Sequence, residues 1–462
     1  MKTRAWHPPH LSRSRLILIV CVAIYVAIFN VTYDALVVPV FGAWGFGTWS
    51  DPIVYFWVSV LFCLAPACWM PIQFSRPSLL LFYVQYFLIY IPASFIVYTS
   101  VRPELSAYDG LRIVLAMFVG LSLIQASYLI PVRAVRVLRI TPDAFWICFT
   151  TVAGLMLVYL VIVFGGSFQL VSFQDVYTLR TAMSEAIAAT GSRFGLYAQS
   201  LLSAVAFPLL FAIGVVYRKR WVILPVAAGY VFLFGIGGAK SAALAIIYLP
   251  LTAILLSRPP RQIPNYFVLG LTLALSVGFL SKVLLPQQMH LTYTAVVHFR
   301  FFTVPPLTIP QYFEFFQDHP VTHLSHVTGF NWLIRYPYDL DIPYTIGMYF
   351  YNASVGLNSA FWAGDGIAAF GLWGIPLLSV LCALVFWVLD CVTAEFDPTF
   401  VGIALSFCTV FFGNVSLFTT LITGGLAGMM LLFLVAPRDS RGHIRLPRLL
   451  YLRPIVRKEA SG

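Results

Sequence analysis

The sequence predicts an all-α, polytopic integral membrane protein with about twelve transmembrane helices. Three observations predict it. Hydrophobic residues make up 60% of the 462-residue chain and charged residues only 10%, against about 25% charged in soluble domains. Mean hydropathy is +0.88. Several apolar stretches run 18 residues or more, the length at which a helix crosses a hydrocarbon core of about 30 Å.

Apolar runs set against Gly, Pro and polar breakers place the helices near 16–40, 53–72, 79–100, 110–130, 142–165, 196–217, 221–236, 241–256, 264–284, 372–392, 399–418 and 421–436. The first run is longer than the apolar region of a signal peptide and lacks a clear small-residue cleavage site, so it reads as a span. The pair 221–236 and 241–256 is short for two full crossings and reads equally as a broken or re-entrant element.

The formal charge of +11 is orientation chemistry rather than a nucleic-acid footprint. With the N-terminus cytoplasmic, 20 of the 28 Lys and Arg residues fall inside, seven of them in the basic tail at 437–462. That asymmetry predicts an even number of spans and two cytoplasmic termini. Attraction to anionic headgroups accounts for the tail. The seven cysteines all lie within or beside apolar spans without metal-ligand spacing, and read as small packing residues.

Residues 1–462 read as one transmembrane domain with two longer outer segments, 167–194 and 285–371. The second is rich in Pro, His, Tyr and Asp, and its aromatics (Phe299, Phe301, Phe302, Tyr312, Phe313, Phe315, Phe316) suit a surface at the outer headgroups. Long loops in compact proteins are usually functional.

Outer loops should be poor in cations, yet Arg180, Arg193, Lys240, Arg300 and Arg335 all map outside. As a set they suit a phosphate or pyrophosphate, which Arg grips bidentately and Lys meets as a point charge. Taken singly, each reads as well as a side chain reaching headgroup phosphates. Lys240 lies in "GIGGAKSAALAII", where Gly235, Gly237 and Gly238 make a tight turn and Ser241 a plausible helix cap. A lysine at a helix N-terminus is disfavoured by the macrodipole unless an anion is shared with the free N–H groups. A turn whose lysine simply reaches water is the plainer alternative.

An acceptor hydroxyl needs a general base. Asp365, between glycines in "WAGDGIAAFGLWG", ranks first, followed by Asp175 and His298. In "HPVTHLSH", His319, His323 and His326 stand at i, i+4 and i+7, a spacing that would suit zinc on a helix, but Pro320 weakens the helix. These histidines therefore read as ordinary loop or base residues, and no metal or cofactor is expected. A nucleotide-type Gly-rich loop and an inner-face DxD are both missing, so a sugar donor would be lipid-linked.

Four stretches carry a family likeness: "QDVYTLR" (174–180), "GGAKSAAL" (237–244), "HFRFFTVPP" (298–306) and "LNSAFWAGDGIAAFGLWGIPL" (357–377). In motif order and sidedness the chain resembles the oligosaccharide repeat-unit polymerases of bacterial surface polysaccharides, the O-antigen polymerase type. It departs from them at Lys240, where the family usually has Arg.

The resemblance implies an inverting, metal-independent glycosyltransferase on the periplasmic face of the bacterial inner membrane. A glycan on undecaprenyl pyrophosphate would be passed to a hydroxyl of the next lipid-linked repeat unit. Arg180, Lys240 and Arg300, with Arg193 and Arg335 behind them, would stabilise the departing pyrophosphate. Membrane lipids, a chain-length regulator and a flippase of the same pathway would be its partners. An O-antigen ligase shares this architecture and remains the nearest alternative. A lipid-linked glycan transporter would string charges through several spans, whereas most charges here fall in loops. A purely structural partner in a polysaccharide assembly complex would tolerate loss of the outer arginines.

Overall fold

The computed structural model describes residues 12–447, apart from 101–104, 136–139, 328, 354, 359, 360 and most of 172–193, where Val176, Leu179, Met183 and Glu185 are described. Among the described residues there are helices and two isolated bridges, Phe46 with Ser100 and Arg438 with Ile444, but no strand.

Among the described residues nine helices are long and apolar enough to cross a membrane: Arg13–Trp44, Ser78–Thr99, Ala107–Ser127, Pro142–Ser167, Phe194–Val216, Arg220–Gly237, Ile263–Leu284, Trp362–Thr393 and Leu417–Val435. They fall where the apolar runs place them. Two further apolar helices, Ile53–Trp69 and Lys240–Leu256, have 17 residues each, about 26 Å at 1.5 Å per residue. The run expected over 399–418 is broken into Pro398–Ala404 and Ser406–Phe412, with the next helix opening at Leu417. The architecture is that of a polytopic membrane protein, with nine full-length candidate spans among the described residues in place of twelve.

Exposure supports the membrane assignment. Pro142–Ser167 is only 11% buried over its apolar window, and Ile147, Leu155 and Ile162 point outward. A helix apolar all round and this exposed is stable beside lipid rather than water.

The chain forms two compact units. The first comprises Met1–Pro131, Leu255–Val388 and Thr409–Thr420. Its central helix is Ser78–Thr99, 94% buried. Polar groups in its core are satisfied by backbone carbonyls, as burial demands: Tyr25 donates to Phe87 O (2.7 Å), Tyr86 to Cys63 O (2.5 Å) and Gln85 to Phe412 O (3.0 Å). Arg15 donates to Ala67 O (3.0 Å) and Cys68 O (2.5 Å) at the end of Ile53–Trp69. These carbonyls form the negative end of that helix, which suits a cation.

Residues 287–318 depart from the expected loop. They run as Gln287–Tyr293, a π-helical Thr294–Thr303, and Val304–Asp318. Phe302, Tyr312, Phe313, Phe315 and Phe316 are buried, not displayed at a headgroup surface. The helix Val304–Asp318 packs on Ile91–Thr99 and on Phe361–Phe370. Pro305 and Pro306 sit in its first turn, where a missing N–H costs nothing.

The second unit comprises Val132–Ile254, Leu389–Cys408 and Leu421–Gly462. Phe207–Val216 packs against Arg220–Gly237 and Pro398–Ala404. Tyr230 donates to Ser203 O (2.7 Å) and stacks near Phe407. Near the C-terminus Tyr217 donates to Ile444 O (2.8 Å), and Trp146 to Arg445 O (2.8 Å).

Candidate functional site

In the first unit, the helix Phe361–Phe370 ends at Gly371, whose φ is +62°. The last carbonyls of any helix lack intrahelical partners. Here a strap from residues 322–326 takes two of them. Thr322 N donates to Ala368 O (2.8 Å) and His323 N to Ala369 O (3.1 Å). Ser325 N closes the turn on Thr322 O (2.9 Å).

The two central residues of that turn, His323 and Leu324, have φ of +48° and +71°. Two positive φ values in succession are the type I′ pattern, usually filled by Asn-Gly. A histidine and a leucine there hold strain of about 1–3 kcal/mol each.

The strap delivers His326 to Asp365. Asp365 is 1% exposed, and its Oδ2 accepts from Leu417 N (3.1 Å). Its Oδ1 lies 3.8 Å from His326 Nε2, an atom that is buried and has no hydrogen-bond partner. On the other side of the ring, Nδ1 is 2.7 Å from Thr322 Oγ1. Thr322 Oγ1 donates in turn to Ala368 O (2.9 Å). Threonine, imidazole and carboxylate thus lie in a row, with a hydrogen bond between threonine and imidazole and a 3.8 Å gap between imidazole and carboxylate.

Asp365 is therefore no surface loop residue. It faces inward from a helix and meets the first amide after the break in the 399–418 run, a favourable place for an anion.

His298, the other described base candidate, is 1% exposed on Thr294–Thr303. Its ring lies against Gly278, and Nε2 is 3.1 Å from Leu275 O. Burial pushes its pKa down to about 4, with His290 adding to the fall and the Leu275 carbonyl opposing it. It is neutral at pH 7 and a weak base.

Asp175, Arg180 and Arg193 lie outside the described residues. Arg300 is exposed on the π-helical segment, and Arg335 is exposed in the stretch after the strap. Lys240 is half-buried as the first residue of Lys240–Leu256, with Ser241 second rather than capping.

The four stretches of sequence likeness fall two to a unit. In the second unit, Gly238 (φ +58°) ends Arg220–Gly237 in the left-handed conformation. A Cβ there would meet Val176 O at 2.9 Å and Leu179 Cβ at 3.3 Å. The turn before Lys240 is thus covered by Val176 and Leu179, the two described residues of "QDVYTLR". In the first unit, Val304–Asp318 packs on Phe361–Phe370, joining the helix after "HFRFFT" to the one that bears Asp365.

The histidines of "HPVTHLSH" do not converge. His319 stacks on Phe315 at 4.1 Å and hydrogen-bonds its carbonyl (2.8 Å), while His323 is exposed near Phe370. Among the described residues no group of three His, Cys, Asp or Glu side chains is placed to hold a metal. Sequence reasoning considered His326 only with the other histidines of that motif, as a metal ligand or an ordinary loop or base residue, and did not single out Thr322 or Leu417. The one signal was Asp365 standing alone in an apolar stretch, which requires a partner from elsewhere.

No family model, curated protein or solved structure matches the chain.

Proposed function

We propose that this protein joins lipid-pyrophosphate-linked oligosaccharide repeat units into a surface polysaccharide, at the periplasmic face of a bacterial inner membrane and with both termini cytoplasmic. The observation that supports the reading is the buried carboxylate of Asp365, in one of the stretches that resemble the polymerases, with the His326 imidazole 3.8 Å away. Transfer of a glycan to a hydroxyl requires such a group.

Arg300 supplies positive charge for the departing pyrophosphate, and Arg335 supports it. Arg180 and Lys240, each in a stretch of likeness, take the same role, with Arg193 behind them. Asp175 stands behind Asp365 as a carboxylate of the reaction. The donor's anomeric carbon is attacked with inversion by the acceptor oxygen, and the lipid pyrophosphate leaves.

The test is deletion of the gene, followed by gel profiling of surface and lipid-linked glycan. Complementation uses wild type, Arg180→Ala, Lys240→Ala and Arg300→Ala. Loss of long chains with single repeat units still delivered supports a polymerase, and failure of the cation variants to restore them supports the roles given. Polymer stranded on its lipid carrier indicates a ligase. Repeat units trapped inside indicate a transporter, and either outcome overturns the reading.

A further inference from the structure

Val304–Asp318 buries most of the aromatics that the sequence suggests for a headgroup surface, and the chain beyond it exposes a second set. Phe330, Trp332, Leu333, Ile334, Tyr344 and Met348 are all exposed. Trp332 is 77% exposed, although so large a ring is ordinarily well covered. Large apolar side chains this dense on a surface mark a contact with something other than water.

Looseness does not explain the exposure. Leu333 N and Ile334 N both donate to Phe330 O (3.0 and 3.1 Å), so the three residues share one side of a helical turn. Tyr336 donates to Leu340 O (2.7 Å) and Tyr338 to Pro320 O (2.5 Å). The helix Ile342–Tyr351 follows and holds no charged residue. It packs on Val304–Asp318 with Ile342 and Ile346 buried, while Tyr344 and Met348, one turn apart, point outward. Both faces of this helix are apolar, and Val304–Asp318 covers one of them.

A tether sets the depth of this surface. Tyr351 donates to Trp44 O (2.6 Å) and accepts from Gln311 Nε2 (2.7 Å), and its ring lies 5.8 Å from that of Trp44. Trp44 ends the candidate span Arg13–Trp44, which has 32 residues. At 1.5 Å per residue that helix is about 48 Å long, against about 30 Å of hydrocarbon and about 40–45 Å with the headgroups. Trp44 therefore reaches the headgroup layer, and Tyr351 is bonded to it there. Val40 and Trp44 are exposed, so the apolar surface of the span continues up to the point where Ile342–Tyr351 is attached.

The residue types agree with that depth. Trp and Tyr favour the interface, and Leu, Ile, Phe and Met suit the boundary with the acyl chains. Arg335, Asp339 and Asp341 are exposed between the two apolar groups. A headgroup layer offers phosphates to the first and ammonium groups to the other two.

We propose that residues 330–334 and the outward face of Ile342–Tyr351 form an interfacial foot, which rests in the headgroup layer of the bilayer at the Trp44 end of the first span. The occupant of the apolar surface is lipid. The proposal is independent of the polymerase reading.

The experiment places nitroxide labels on the full-length protein in vesicles of phosphatidylethanolamine and phosphatidylglycerol. Cys21, Cys68 and Cys148, the cysteines that are not buried, are first replaced by Ser. Labels are then attached at Trp332→Cys and Tyr344→Cys. Leu155→Cys, on the outward side of Pro142–Phe164, is the lipid reference, and Ser440→Cys, on an exposed turn, is the water reference. Collisions with oxygen, which concentrates in lipid, are compared with collisions with a nickel chelate, which stays in water. At both positions the oxygen-to-nickel ratio should shift from the value at Ser440→Cys toward that at Leu155→Cys. A ratio like that of Ser440→Cys at either position overturns the proposal, because the surface then meets water. Few collisions with both reagents also overturn it, because a second copy or another protein then covers the surface. Each variant should melt like the unlabelled protein, and Leu333→Cys and Met348→Cys replace any that does not.

Discussion

Leu417 donates its amide to Asp365 Oδ2 across 3.1 Å and 52 residues of sequence. The bond closes an account opened by the break in the 399–418 run. A helix that starts inside the protein exposes amides that must find acceptors, and here a buried carboxylate supplies one. Asp365→Ala should therefore leave that amide unsatisfied and destabilise the protein by about 1–3 kcal/mol. Asp365→Asn should lose less. Thermal unfolding in detergent checks the order, and equal losses would show that the bond contributes nothing.

The strained turn makes the opposite prediction. Leu324 at φ +71° holds about 1–3 kcal/mol of strain that glycine would not, against about 0.5–1 kcal/mol of entropy that glycine loses on folding. Leu324→Gly should raise the unfolding temperature in detergent slightly, because glycine adopts the same turn without strain. A marked fall in unfolding temperature would contradict the strain.

Gly238 should not tolerate a side chain. Its φ is +58°, and a Cβ would come within 2.9 Å of Val176 O. Gly238→Ala should destabilise by more than about 1 kcal/mol, read as a lower thermal unfolding temperature in detergent. Gly154, in the helix Pro142–Phe164 with nothing within 4 Å of its Cβ position, is the control. Gly154→Ala should be neutral or stabilising by up to about 1 kcal/mol.

His298 predicts a pH dependence. Its pKa is lowered from the ordinary 6.5 to about 4, chiefly by burial. Between those values the unfolded chain binds a proton that the folded one refuses, so acid favours unfolding. The stability associated with neutral His298 is fully present above pH 6.5 and declines as pH falls toward 4. His298→Asn should flatten that slope in unfolding measured from pH 7 to pH 4. An unchanged slope would place the proton uptake elsewhere.

Much of the fold was legible. Apolar length alone located the nine candidate spans among the described residues, because a helix beside lipid has to be apolar over its full crossing. The second outer segment was misread because its prolines and histidines look like loop chemistry. Pro305 and Pro306 in fact open a helix, and Tyr312 to Phe316 bury a core face. The 399–418 run was misread as one helix because its apolar composition conceals the break before Leu417. Asp365 was legible as a residue in need of partners because a lone carboxylate in an apolar stretch requires a reason. Its partners were not, since Thr322, His326 and Leu417 stand 39 to 52 residues away from it in sequence.

By itself, then, the sequence determined the membrane class, the order of the long helices and the presence of an isolated acid among them. These follow from local composition, which acts over one helix length. Tertiary structure decided which amide and which imidazole face that acid, and that His323 and Leu324 bend into a left-handed turn to bring the imidazole there. Contacts of this kind act over about 3–4 Å, and only the folded chain brings residues so distant in sequence within that reach.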